Sequence, residues 1–90
     1  MVVMYVIICY DVGVERINRL RSFLRRYLYW VQNSVFEGEL TPSEFKKIDM
    51  EIKKIIDPKR DSVVIYRFRD SKLVKRIVIG EEKFEISRVI

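Results

Sequence analysis

Residues 2–10 form an unbroken apolar run, from Val2 and Val3 to Cys9 and Tyr10, rich in β-branched and aromatic side chains. Such a run predicts a central strand covered on both faces, ending at the turn signal Asp11, Val12, Gly13. From residue 14 to about 28 the spacing changes. Ile17, Leu20, Leu24 and Tyr27 or Leu28 recur at three and four residues, with Phe23 widening the stripe, and this predicts an amphipathic helix. Its remaining surface carries Arg16, Arg19, Arg21, Arg25 and Arg26. Strand-like residues return over 30–36, with Asn33 and Ser34 or Gly38 as candidate bends or bulges, so that the segment reads as one strand or as two short ones.

Thr41, Pro42 and Glu44 carry the clearest local signal. A threonine at the N-cap, a proline at the first helical position and a glutamate at the third make a capping box, and the proline's missing N–H is harmless there. Phe45, Ile48, Ile52, Ile55 and Ile56 then line one face of a second helix, which Asp57 and Pro58 stop. Residues 61–68 predict a further strand and residues 69–72 a turn. Short extended segments are expected over 75–80 and 83–90.

The order β-α-β-(β)-α-β, with appended C-terminal strands, predicts an α+β ferredoxin-like sandwich with both helices on one face of the sheet. Residues 1–90 read as one domain. The bare sheet face needs a cover and the apolar C-terminal strand needs an edge. A homodimer with facing sheets and exchanged strands would satisfy both.

Composition narrows the chemistry. There is no histidine, which removes the usual serine and cysteine triads and imidazole zinc ligands. The lone Cys9 builds no internal disulfide and is read as a buried, inert thiol. The first apolar run is too short to span a membrane and lacks a signal peptide's basic start and cleavage site, so a cytoplasmic protein is expected. Eighteen Lys and Arg against thirteen Asp and Glu leave a net charge of +5, which suits a polyanionic partner but also a densely charged stable domain.

Asp11 stands at the carboxyl end of the first strand, where ligands gather in open α/β folds. Two such aspartates across a dimer axis would suffice for Mg²⁺, which uses one or two carboxylates and keeps several waters. The alternative is that Asp11 caps the helix or turn that follows. Tyr10 lies next to it, with core packing as its other reading. Arg16, Arg19, Arg25 and Arg26 are candidates for a phosphate track or a merely solvated face, and Lys46, Lys47, Lys53 and Lys54 form a weaker patch. Ser34 has no visible base partner, and Glu37 and Glu39 are expected to be solvated.

Three stretches then resemble the CRISPR-associated protein 2 family in order and spacing: Tyr10-Asp11-Val12, residues 31–41 (with Gln32, Asn33, Ser34, Val35, Phe36, Glu37 and Gly38 the most telling), and residues 61–68. The resemblance implies a ferredoxin-like homodimer that partners CRISPR-associated protein 1, the integrase, in spacer acquisition. It further implies a Mg²⁺-dependent endonuclease acting on single-stranded RNA or double-stranded DNA. Asp11 would be the metal-binding, catalytic aspartate, with Tyr10, Arg19 and Phe36 near the same cleft. One departure is Trp30, where some members carry an arginine; its loss weakens the case for cleavage and leaves DNA binding intact. A non-catalytic DNA-binding scaffold and a toxin-type ribonuclease of the same fold are the alternatives.

Overall fold

The structure, a computed structural model, describes residues 2–81. Strand β1 (Met4–Asp11) leads into helix α1 (Val14–Leu24), the hairpin β2 (Tyr29–Gln32) and β3 (Val35–Leu40), helix α2 (Pro42–Ile55) and strand β4 (Ser62–Phe68). The strands form one sheet in the order β2-β3-β1-β4, with every neighbouring pair antiparallel. This is the expected ferredoxin-like arrangement.

The helices obey their local signals to different degrees. At α2, Thr41 Oγ1 accepts from the Glu44 N–H at 3.2 Å while Glu44 Oε1 accepts from the Thr41 N–H at 2.9 Å, which completes the capping box. Helix α1 stops earlier than its stripe suggests. Past Leu24 the backbone tightens, with Arg26 N–H bonded to Phe23 O and Tyr27 N–H to Leu24 O. These three-residue bonds tuck Leu28 into the core and turn the chain toward β2.

Both helices cover the same face of the sheet. Val6, Ile8 and Tyr10 of β1 and Phe36 and Leu40 of β3 meet Leu20, Leu24, Ile48, Ile52 and Ile55 there. Since side chains alternate along a strand, Tyr5, Ile7, Cys9 and Asp11 point to the opposite, open face. The register sets Glu37, Val64 and Tyr66 beside them. Val64 and Tyr66 are 44% and 53% exposed, so this face is apolar and only partly covered within one chain. The expectation that both faces of β1 would be covered is met on the helix side alone, and Cys9 is half-buried rather than buried.

The candidate bend at Asn33 is met, and two further expectations change. Asn33 bends the hairpin with φ at 38°, a left-handed conformation that asparagine tolerates, and β2 carries a bulge between Trp30 and Gln32. Residues 75–80, expected as a strand, follow a 3₁₀ turn (Ser71–Leu73) without joining a ladder among the described residues. Their apolar run resembles a strand, yet it joins neither outer strand of the sheet, β2 or β4, among the described residues. Instead, Arg76 reaches the open face and pairs with Glu37. Glu37 itself, expected to be solvated, is 4% exposed and also accepts from the Tyr5 hydroxyl at 3.0 Å. The segment expected over 83–90 lies outside the described residues.

Candidate functional site

Asp11 closes β1 opposite Ser62, at the end of the sheet where α1 begins. Its side chain is exposed on the open face, and it makes no hydrogen bond or ion pair among the described residues. The capping role that the sequence also allowed is not taken up. The N-cap of α1 is Gly13, with no side-chain cap.

A different aspartate holds this turn. Asp61, the residue before β4, accepts from the Gly13 N–H at 3.0 Å and the Asp57 N–H at 2.8 Å. It also takes a two-pronged contact from Arg16, through Nε at 2.6 Å and Nη2 at 2.8 Å. Its side chain is only 1% exposed. The Arg16 guanidinium, helped by the two backbone N–H groups, holds the Asp61 carboxyl well below the usual carboxylate range, against the opposing effect of burial. The same pairing raises Arg16. Arg16 was a candidate for the phosphate track; its fork is occupied by Asp61. Sequence reading passed over Asp61 because its partners lie 45 and 48 residues away along the chain. One topological signal was available: in an antiparallel pair the start of β4 must meet the end of β1.

Gly13 is required here for space rather than for conformation. Its φ of −60° suits any residue, but a Cβ would lie 2.7 Å from Arg16 Nη2, which Asp61 pins in place. Gly13→Ala is therefore expected to lower stability by about 1–3 kcal/mol, as overpacking does, seen as a lower urea midpoint.

The neighbouring candidates divide by burial. Tyr10 points to the helix side, away from Asp11. Its ring is buried, and its hydroxyl accepts from Arg21 Nε at 3.3 Å and donates to the Asn33 carbonyl at 3.4 Å. Trp30 Nε1 donates to that same carbonyl at 3.1 Å, so the tryptophan secures the hairpin bend. Phe36, which the resemblance put near the cleft, is 0% exposed and stacks on Tyr10 with ring centroids 6.1 Å apart. It has no surface to offer a nucleic acid in this fold, and its place is in the core. Arg19, Arg25 and Arg26 are exposed on and just after α1, with the Arg26 guanidinium 6.0 Å from the centre of the Tyr27 ring. Lys46, Lys47, Lys53 and Lys54 are exposed on α2, and Lys53 pairs with Asp49 at 3.1 Å.

No group of three or more Cys, Asp or Glu side chains is close enough to hold a metal ion among the described residues. At the end of β1 one chain therefore offers a divalent ion one free carboxylate, that of Asp11. The chemistry of that donor suits Mg²⁺, which accepts one or two carboxylates, once a second copy supplies its own Asp11.

Fold and site together define a small ferredoxin-like domain with a lone free aspartate at the end of its central strand. Residues 4–76 match the family model described as CRISPR associated protein Cas2. A protein of Methanothermobacter thermautotrophicus named CRISPR-associated endoribonuclease Cas2 is 52% identical over 89 residues, covering 99% of this chain and 98% of that one. A second relative of that name, from Archaeoglobus fulgidus, is 55% identical over 82 residues, covering 91% and 89%. A crystal structure of Cas2 superposes with a TM-score of 0.86 at 43% identity, covering 98% and 99% of the two chains. The Streptococcus pyogenes Cas2 structure gives 0.64 at 38% identity over 69% of this chain and 82% of that one. The chain belongs to the CRISPR-associated Cas2 family. No helix among the described residues is long and apolar enough to cross a membrane.

Proposed function

We propose that this chain is a Mg²⁺-dependent endonuclease of CRISPR spacer acquisition, working as a homodimer in which the two Asp11 carboxylates share the ion. The observation that carries this reading is the freedom of Asp11. The turn it was expected to cap is held by Asp61, so Asp11 is left as a charged group at a sheet end with no structural task. The half-exposed apolar face on which it stands suits packing against a second copy, which would bring the two carboxylates together. When bound, Mg²⁺ supplies an activated water and charge stabilisation at a phosphodiester oxygen. Arg19, Arg25 and Arg26 supply the phosphate track, with Lys46, Lys47 and Lys54 as further positive charge. The relatives' name favours RNA as the substrate, while phosphate contacts alone do not discriminate RNA from DNA.

A second reading is favoured by how little else stands near Asp11. Tyr10 is buried on the other side of the sheet, and Arg16 is committed to Asp61. In that reading the dimer is a DNA-binding scaffold for CRISPR-associated protein 1, and the arginine row is its working surface.

The test compares wild type with Asp11→Asn on single-stranded RNA and duplex DNA, with Mg²⁺ and with chelator. The nuclease reading expects wild-type cleavage only with Mg²⁺, and a loss of about 100-fold or more in the variant, as befits a group acting in the transition state. Melting temperatures of the two proteins should agree, since Asp11 holds nothing in the fold. Equal activity, or none in either, leaves the scaffold reading.

A further inference from the structure

Asp61 differs from Asp11 in every respect that matters for a ligand. Its two oxygens receive four N–H groups, from Gly13, Asp57 and the two prongs of Arg16. A carboxylate has about four lone-pair sites, so none is left over for a metal or a phosphate donor. What Asp61 does have is position. It gathers the turn after β1, the first turn of α1 and the loop after α2 onto one buried carboxylate. Its chain neighbour Ser62 is the ladder partner of Asp11, and its hydrogen-bond partner Gly13 is two residues beyond Asp11. Asp11 is thus held from one side by the β1–β4 ladder and from the other by the Asp61–Gly13 bond. Of the two residues linking β1 to α1, only Val12 enters the core, so apolar packing secures that turn at a single point.

We propose that Asp61, with Arg16, is a positioning pair for Asp11, fixing the turn so that its carboxylate is presented at one angle to the shared divalent ion. This rests on the reading of Asp11 as a metal-holding residue. Supporting groups of this kind orient the groups that touch a metal, and their removal costs roughly 10- to 100-fold in metal affinity or activity. Arg16 accordingly acts inside the turn and leaves the phosphate track to Arg19, Arg25 and Arg26.

The full chain is compared as wild type, Asp11→Asn, Asp61→Asn, Arg16→Gln and the Asp61→Asn/Arg16→Gln double variant. Three readouts are taken: Mn²⁺ affinity by electron paramagnetic resonance, hydrogen exchange at the Gly13 amide in the metal-free protein, and the split of cleavage into kcat and KM with the salt dependence of binding. Asp61→Asn and Arg16→Gln should each lower Mn²⁺ affinity and kcat roughly 10- to 100-fold while leaving KM and the salt slope unchanged. Gly13 should exchange faster in both. The double variant should be no worse than either single one, because the two residues form one device. Should Asp61→Asn be unfolded at the assay temperature, Arg16→Lys, which keeps the cation without the fork, carries the same measurements.

Unchanged Mn²⁺ affinity and kcat in a folded Asp61→Asn overturn the proposal while leaving the metal reading of Asp11 standing. A raised KM with a salt slope reduced by about one in Arg16→Gln also overturns it, by returning Arg16 to the phosphate track. If Asp11→Asn itself binds Mn²⁺ as wild type does, both the reading of Asp11 and the positioning role fall.

Discussion

Phe36→Ala, which truncates the largest fully buried side chain, is expected to cost about 3–5 kcal/mol of folding stability. Phe36 lies between Ile8 and Trp30 in the sheet register, and its ring stacks on Tyr10 beneath the two helices. Nothing on the helix side can close the gap cheaply, because the sheet fixes its neighbours on both flanks. A domain of this size commands about 5–15 kcal/mol in total, so the variant should be close to unfolding in mild conditions. Urea denaturation checks this: the midpoint should fall sharply while the slope stays as in wild type. A loss below about 1 kcal/mol would remove Phe36 from the core. The measurement also bears on function, since the resemblance had set this phenylalanine beside the cleft. At a temperature where the variant is still folded, its affinity for nucleic acid should match wild type.

Acid should reveal the second large effect. The Asp61 carboxyl is held well below the ordinary range, chiefly by Arg16, with the Asp57 and Gly13 N–H groups assisting. In the unfolded chain the same group titrates near an ordinary aspartate value of about 3.9. A carboxyl depressed in the folded state adds stability that is fully present above that value and is lost as pH falls toward the folded one. Wild type should therefore lose melting temperature steeply below about pH 4. Asp61→Asn should start lower at pH 7 and decline less, so that the two curves converge as the solution becomes more acidic. Thermal melts across this range decide the matter, and parallel curves for the two proteins would show that the buried pair does not govern acid stability.

How far the sequence revealed this molecule depended on the reach of each signal. The start of α2 was legible to the residue because Thr41, Pro42 and Glu44 interact within one turn. The helix faces and the order of strands followed from periodicity, which burial makes nearly unavoidable. The end of α1 was overestimated because Leu28 continues the apolar stripe while the backbone beneath it has left the α conformation. Glu37 was misjudged since its partners, Tyr5 and Arg76, come from distant positions on the sheet face. Residues 75–80 looked like a strand because the β-branched run Ile77, Val78 and Ile79 suits one, and such a run says nothing of whether the segment joins a ladder. At the site, Asp11 stood out through its place at a strand end. Asp61 did not, because a carboxylate's partners 45 residues away leave no trace in local pattern.

The strand order has a consequence for synthesis. Strand β1 emerges from the ribosome before both strands it pairs with, yet it sits in the interior of the sheet, between β3 and β4. Its apolar run must wait for residues 35–40 to form one neighbouring strand and for residues 62–68 to form the other. During translation at roughly 5–20 residues per second, that leaves the most aggregation-prone stretch unpaired for several seconds. Helix α1, which follows at once and carries Leu20 and Leu24, is the first shelter on offer in that interval. The cationic face of α1 then has a task in the nascent chain: it favours solubility of the strand and helix that must wait for the rest of the sheet.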